Sequence, residues 1–334
     1  MAPMTARGAR QARRYPGISP RAYEHPADRA ATAALGRIPV LDRVLRLLAG
    51  IRFERALRQR LLGNAVRIGP DQLPQVWESH LEARRCLDIE AEVELYVGQH
   101  PFANVVTIGI DRPVVVLHSA LLTTLGPEEV RGVLAHEAAH VLSGHLLYRT
   151  SLAVLLTTSL QRLPPLGDLP RRALVLALSE WFRASELSCD RAEVLATGDP
   201  SVVCSALMRL AAGSVPGLEL GPFLRQAEEF RDWSSAWDRG LRTLDELDSR
   251  YPWSVRRALE VSDWVRSGEF DRIVRGDYIR RGSEPPVTAE MQGAVEHYRQ
   301  RFADLIESTG LGITQLTSRL RDWLRRASAQ AADS

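Results

Sequence analysis

Residues 136–140 read His-Glu-Ala-Ala-His. Four residues is close to one helical turn, so on a helix His136 and His140 project from one face and can grip a single ion. Glu137 is turned from them by about 100°, which suits a base beside a metal rather than a third ligand. The chemistry this spacing serves is hydrolysis by a metal-activated water. A mononuclear zinc site of that kind takes three protein ligands and leaves one position open. One known source of the third ligand is a histidine six residues after the second, behind a glycine, but Ser143 and Leu146 stand at those two places. His145 falls about 140° round the helix from His140, so it reads as a helix-terminus residue facing away from the ligands.

A later helix is the other source. In the segment 173–197, Glu186 and Asp190 are spaced i, i+4 on one face. Glu186 can be the third ligand, and Asp190 can accept the free ring N–H of a ligand histidine, fixing its tautomer and orientation. Glu180 and Glu193 compete for the ligand role, and a solvated acidic face uses the same spacing.

These side chains need elements to hold them. Pro127 suits a first helical turn, Glu128 and Glu129 complement the helix dipole there, and Gly144 is a stop, so the metal motif sits on a helix from about 127. Upstream, VELYV (93–97), NVVTIGI (104–110) and PVVVLH (113–118) are short, largely β-branched or aromatic, and separated by turn residues, which reads as a small sheet. Residues 27–63 and 73–85 read as helices, and after Gly221 the chain is helical, Arg-rich and Trp-rich. The organisation expected is a disordered arm over 1–25, an N-terminal helical region over 26–89, a core over 90–260 and a C-terminal helical region over 261–334.

Taken together, these residues resemble the HtpX-like and CAAX-protease-like zinc metallopeptidases, peptidase family M48. In that family a glutamate in E-x-x-x-D follows H-E-x-x-H on a separate helix, and Glu186-x-x-x-Asp190 matches. The family strand motif N-A-x-T-x-G is similar to Asn104–Gly109, with Val105 in place of the alanine. The motif H-P-x-x-x-x-R resembles the segment 251–257, with Tyr251 in place of the histidine and Arg257 at the arginine.

The resemblance implies a mostly helical α+β fold with a zincin-like (gluzincin) core. It also implies one zinc ion per chain on His136, His140 and Glu186, with Asp190 behind a ligand histidine. By the same resemblance Glu137 is the catalytic base, Tyr251 and Arg257 stabilise the oxyanion, and Asn104, Thr107 and Gly109 align a polypeptide substrate. The expected activity is that of a zinc endopeptidase in protein quality control or processing. The alternative is a latent or structural zinc protein, acting as a chaperone or adaptor through its C-terminal helices.

Composition agrees with such chemistry and excludes others. The chain has no lysine, so all 43 basic residues are arginine. Schiff-base, pyridoxal and phosphate-loop lysine chemistries are therefore excluded. A formal net charge of +2 argues against a nucleic-acid partner. The three cysteines, Cys86, Cys189 and Cys204, form no C-x-x-C pair and fit a reducing compartment. Neither a membrane span nor a secretory signal is evident, so a cytoplasmic location is expected, with peripheral membrane contact through the Arg-rich N-terminal region as the variant.

Overall fold

Glycine, proline and helical periodicity set the element boundaries, and the computed structural model follows them over the described residues 13–37, 45–46, 51–157, 168–232, 252–285, 292 and 294–296. Helix α1 (Pro26–Gly36) precedes α2 (Ile51–Asn64), strand β1 (Val66–Arg67) and α3 (Pro74–Cys86). Strands β2 (Glu94–Gly98), β3 (Val105–Ile108) and β4 (Val114–His118) lead into the short α4 (Ser119–Thr124) and the metal-motif helix α5 (Pro127–Leu142). Then come α6 (Leu146–Thr157), the long α7 (Asp168–Thr197), α8 (Pro200–Ala212), α9 (Leu220–Asp232), α10 (Ser254–Arg266) and α11 (Glu269–Val274). The fold is α+β and mostly helical.

The three expected strands form, and β1 joins them in the order β1-β2-β4-β3. Two residues are too few for a periodic signal, so β1 was not foreseen. β2 and β4 run parallel, with Leu95 opposite Val115, and β3 pairs antiparallel to β4, with Thr107 also opposite Val115. The run VVVL explains the place of β4: its first four residues are all buried, as an interior strand covered on both faces requires. Val115 and Leu117 pack with Val130, Val133 and Leu134 of α5, while Val114 and Val116 pack with Tyr96 and Leu61 on the other face. β3 lies at an edge of the sheet, and its alternation buries Val105 and Thr107.

Helix α5 begins as its sequence dictates. Pro127 occupies the first turn, and the Glu129 carboxylate accepts the Gly126 N–H at 2.7 Å. It packs along α7, and Gly132 sets how closely. A Cβ there would stand 2.8 Å from Glu193 Oε1 and 3.1 Å from its Cγ, so a side chain at 132 would hold the two metal-motif helices apart. Farther along α7, Trp181 and Phe182 are buried with Leu35 of α1 and Leu178, each contributing roughly 1.5–3 kcal/mol by transfer from water.

The N-terminal expectation needs correction. From Arg13 onward the segment is ordered: Tyr15, Ile18 and Tyr23 are buried in the core beside Cys189 and Trp264. Three large apolar side chains scattered among arginines carry no periodic signal, yet each finds a core site. Residues 1–12 lie outside the described residues. The C-terminal side closes over this segment, with Ile18 bridging Arg280 and the Tyr278 ring 5.9 Å from that of Tyr15. Trp264 belongs to the core, whereas Trp233, Trp237, Trp323 and His297 lie outside the described residues. Among the described residues no helix is long and apolar enough to cross a membrane.

Candidate metal centre

Helical spacing brings His136 and His140 to one face of α5, and the close approach of α7 brings Glu186 against them. His136 Nε2 lies 3.3 Å from Glu186 Oε2, and His140 Nε2 lies 3.3 Å from Glu186 Oε1. All three residues are buried. Glu180, a competitor on the same helix, instead pairs with Arg183 at 2.7 Å. Asp190, one turn beyond Glu186, stands 3.1 Å from His136 Nδ1, and Glu193 stands 3.6 Å from the same nitrogen. The nitrogen sits between those two carboxylates and is aligned on neither. Burial opposes the charged form of His136, but the adjacent carboxylates of Asp190 and Glu186 outweigh it and hold its pKa well above the ordinary value. Burial also pushes Glu186 up, yet His136, His140 and Arg149 outweigh it and keep its carboxyl well below the usual range.

Arg149 of α6 was not anticipated. Nothing in its sequence context marks it, because arginine is the chain's sole basic residue besides histidine. Its guanidinium is buried and donates to Glu186 Oε1 at 3.0 Å, to both Glu137 oxygens at 3.3 Å, and to His140 Nε2. Burial, then the Arg149 charge, push the His140 pKa well below its ordinary value, so this imidazole is neutral.

His145 also departs from expectation. α5 ends at Leu142, and the positive φ of Gly144, 70°, turns the chain back. His145 therefore does not continue round the helix; its Nδ1 comes 3.0 Å from Nδ1 of His140.

Arg257 reaches the site from α10, but its donors are largely engaged. Nε and Nη2 donate to the two oxygens of Asp190 at 2.9 and 2.5 Å, and Nη1 is 3.7 Å from Glu186 Oε2. Tyr251 lies outside the described residues, though the adjacent Pro252 lines the cleft.

The three strand residues divide. Asn104 lines the cleft, its carbonyl accepting from His118 and its Oδ1 from the Val105 N–H. Thr107 is fully buried, and its hydroxyl donates to Glu137 Oε2 at 2.6 Å, so its side chain serves the glutamate rather than a substrate. Gly109 is a turn residue with φ 109°; a Cβ there would stand 2.7 Å from Arg112 O, and its N–H donates to Thr150. Period-two alternation gave the direction of Thr107, but only the partner across the interface gave its role.

His136, Glu137, Glu186 and Arg257 open on a cleft of about 260 Å³ whose wall includes Asn104 and Val105 of the edge strand. Among the described residues, donors within 4.8 Å of one another group as His136–His140–Cys189, His136–Asp190–Glu193 and Glu24–Asp28–His145, whereas Glu186 meets His136 and His140 pairwise. Cys189 is a poor rival to Glu186, since burial pushes its thiol pKa well up and its Sγ faces His145 Nδ1 at 3.9 Å. Two imidazole Nε2 atoms against the two oxygens of one buried carboxylate form a donor set that suits zinc, whose ligand atoms in a tetrahedron lie roughly 3.3 Å apart.

An H-E-x-x-H helix packed against a second helix that carries an E-x-x-x-D pair, beside the edge of a small mixed sheet, is the arrangement of a metallopeptidase. The pattern of peptidase family M48 matches residues 72–265, and the chain belongs to that family. It is 34% identical over 261 residues to the plastoglobule-localized metallopeptidase 48, chloroplastic, of Arabidopsis thaliana, an alignment covering 76% of this chain and 75% of the relative. No solved structure matches it. The protein is thus a metal-dependent protease, a hydrolase acting on polypeptides.

Proposed function

We propose that the chain is a zinc-dependent endopeptidase with a gluzincin site, in which His136, His140 and Glu186 hold the ion and Glu137 is the general base. One observation carries the reading: the Nε2 atoms of His136 and His140 face the two oxygens of Glu186 at 3.3 Å, and His136 and Glu186 line the same cleft as Glu137. Zinc bound there supplies Lewis acidity, polarising the scissile carbonyl and lowering the pKa of the attacking water. Glu137 takes that water's proton as its oxygen bonds to the carbonyl carbon, and returns it to the leaving amine as the C–N bond breaks. Thr107 holds Glu137 in place through its 2.6 Å bond.

The edge position of β3 supports substrate alignment by main-chain pairing, which gives weak sequence selectivity and suits unstructured polypeptides in quality control or processing. Asn104 marks the start of that edge. Tyr251 keeps the role of donor to the developing oxyanion, and Arg257 acts first by fixing Asp190 behind His136. The three free, buried cysteines support a reducing, cytoplasmic compartment.

The test is Glu137→Gln with casein as substrate. Zinc binding is expected to persist while hydrolysis disappears; unchanged hydrolysis overturns Glu137 as base. A latent zinc protein acting as a chaperone or adaptor is the second reading, favoured by the Arg149 guanidinium lying on His140 and Glu186. Casein cleavage by the zinc-supplied wild type decides against it.

A further inference from the structure

His140 donates into a chain of hydrogen bonds that leaves the family core. Arg149 Nη1 can only donate, so its contact with His140 Nε2 makes that nitrogen the acceptor and puts the His140 proton on Nδ1. Nδ1 of His140 faces Nδ1 of His145 at 3.0 Å, so His145 accepts there and carries its own proton on Nε2. That Nε2 meets Asp28 Oδ2 at 3.1 Å. Every direction in the chain follows from the one before it. Zinc bound to His140 Nε2 uses the same lone pair, and so demands the same tautomers.

The far end is clamped. Asp28 is 1% exposed, so its carboxylate is not shared with solvent. Its Oδ2 also accepts from Ser188 Oγ at 2.5 Å, and its Oδ1 accepts from Thr32 Oγ1 at 3.1 Å. Ser188 sits on α7 between Glu186 and Asp190. The Trp181 ring meets the His145 ring edge-on, 5.5 Å between centroids and 83° between planes, which fixes the imidazole plane. Trp181 Nε1 donates to Thr32 Oγ1 at 2.7 Å, tying the same indole to the carboxylate's neighbour.

We propose that Asp28 and His145 are positioning residues of the metal centre, a carboxylate–imidazole relay that locks His140 with its Nε2 lone pair toward Glu186. The two ligand histidines are then held by different devices. His136 meets Asp190 directly, whereas His140 meets Asp28 through a second ring. Asp28 belongs to α1, outside the residues 72–265 that match the family. The N-terminal helix is thereby part of the metal site.

The inference rests on His140 being a zinc ligand, and the experiment separates the two. Zinc affinity of the full chain is measured by competition with a chromophoric chelator for the wild type, Asp28→Asn and His145→Phe, with the thermal midpoint of each metal-free form beside it. Loss of such a hydrogen bond to a ligand histidine weakens zinc by about 10–100-fold, and that loss is expected in both variants, with the metal-free midpoint falling more in His145→Phe, which strips the buried Asp28 carboxylate of its imidazole, than in Asp28→Asn. Histidine ¹⁵N chemical shifts of the zinc-loaded wild type need no variant to fold. They are expected to show His140 protonated at Nδ1 and His145 protonated at Nε2 alone. Wild-type affinity in both variants, or a proton on His145 Nδ1, overturns the relay while leaving the ligand reading intact. A wild type that takes up no zinc overturns both.

Discussion

Thr107 donates its hydroxyl to Glu137 Oε2 across 2.6 Å, and that bond joins the edge strand to the metal-motif helix inside the core. A hydrogen bond to a charged group is worth about 1.5–3 kcal/mol. Thr107→Val keeps the branched shape and removes the donor. Its expected effect is a fall in kcat of about tenfold or more, from a misaligned base, with KM and zinc affinity near wild type. Steady-state kinetics on a fluorogenic peptide check it. An unchanged kcat would show that the base does not depend on this bond.

Arg257 is the second test, because two roles predict different losses. Its bidentate contact with Asp190 places it behind His136, and burial of both partners means that removing one leaves an uncompensated charge. Arg257→Met is therefore expected to destabilise the protein by about 3–5 kcal/mol, read by urea unfolding, and to weaken zinc as well. If the guanidinium acted only on the oxyanion, kcat would fall while zinc affinity stayed at the wild-type value.

Arg149 donates to the Glu186 oxygen that a zinc ion in the proposed site would also take. In Arg149→Met the metal-free protein loses the charge that compensates Glu137 and Glu186, so its thermal midpoint is expected to fall. Zinc then restores more than it adds in the wild type, since any ligand specific to the native state stabilises in proportion to its affinity. The measurement is the zinc-induced rise in midpoint, against a chelator control. Equal rises in both proteins would remove Arg149 as a competitor of the metal.

His80, away from the metal, makes stability depend on pH. Its Nε2 donates to Val93 O at 3.0 Å and its Nδ1 has no partner, so burial lowers its pKa from 6.5 to about 4. A depressed pKa means that the unfolded chain takes up the proton first. The resulting stability of roughly 3 kcal/mol is full above pH 6.5 and lost as pH falls toward 4. His80→Gln can still donate to Val93 but does not titrate there. Urea unfolding of the metal-free protein should show a shallower loss between those pH values for the variant, and parallel profiles would count against His80.

Much of the site was legible because it depends on local periodicity. The i, i+4 spacings of His136 with His140 and of Glu186 with Asp190 define faces on single helices, and helix geometry alone puts each pair on one face, while the packing of the two helices turned those faces inward. The strands around Thr107 followed from alternation in the same way. What escaped were side chains whose partners lie far along the chain. Arg149 looks like any of the arginines, Asp28 like any helix-start acid, and Tyr15 and Ile18 like residues of a polar arm. His145 was misdirected by an extrapolated helix, because Gly144 ends the turn that would have carried it away.

By itself, then, the sequence determined the chemistry on offer: two imidazoles and a carboxylate on one helix, and two acids on another. Only the tertiary structure decided which acid meets which ring, what orients His140 and which cation lies on the donors. The reason is physical. Spacing along a helix is set by the backbone hydrogen bonds of that helix, whereas a contact between helices is set by how closely they pack, here through Gly132, and by what each buried polar group must find to satisfy it.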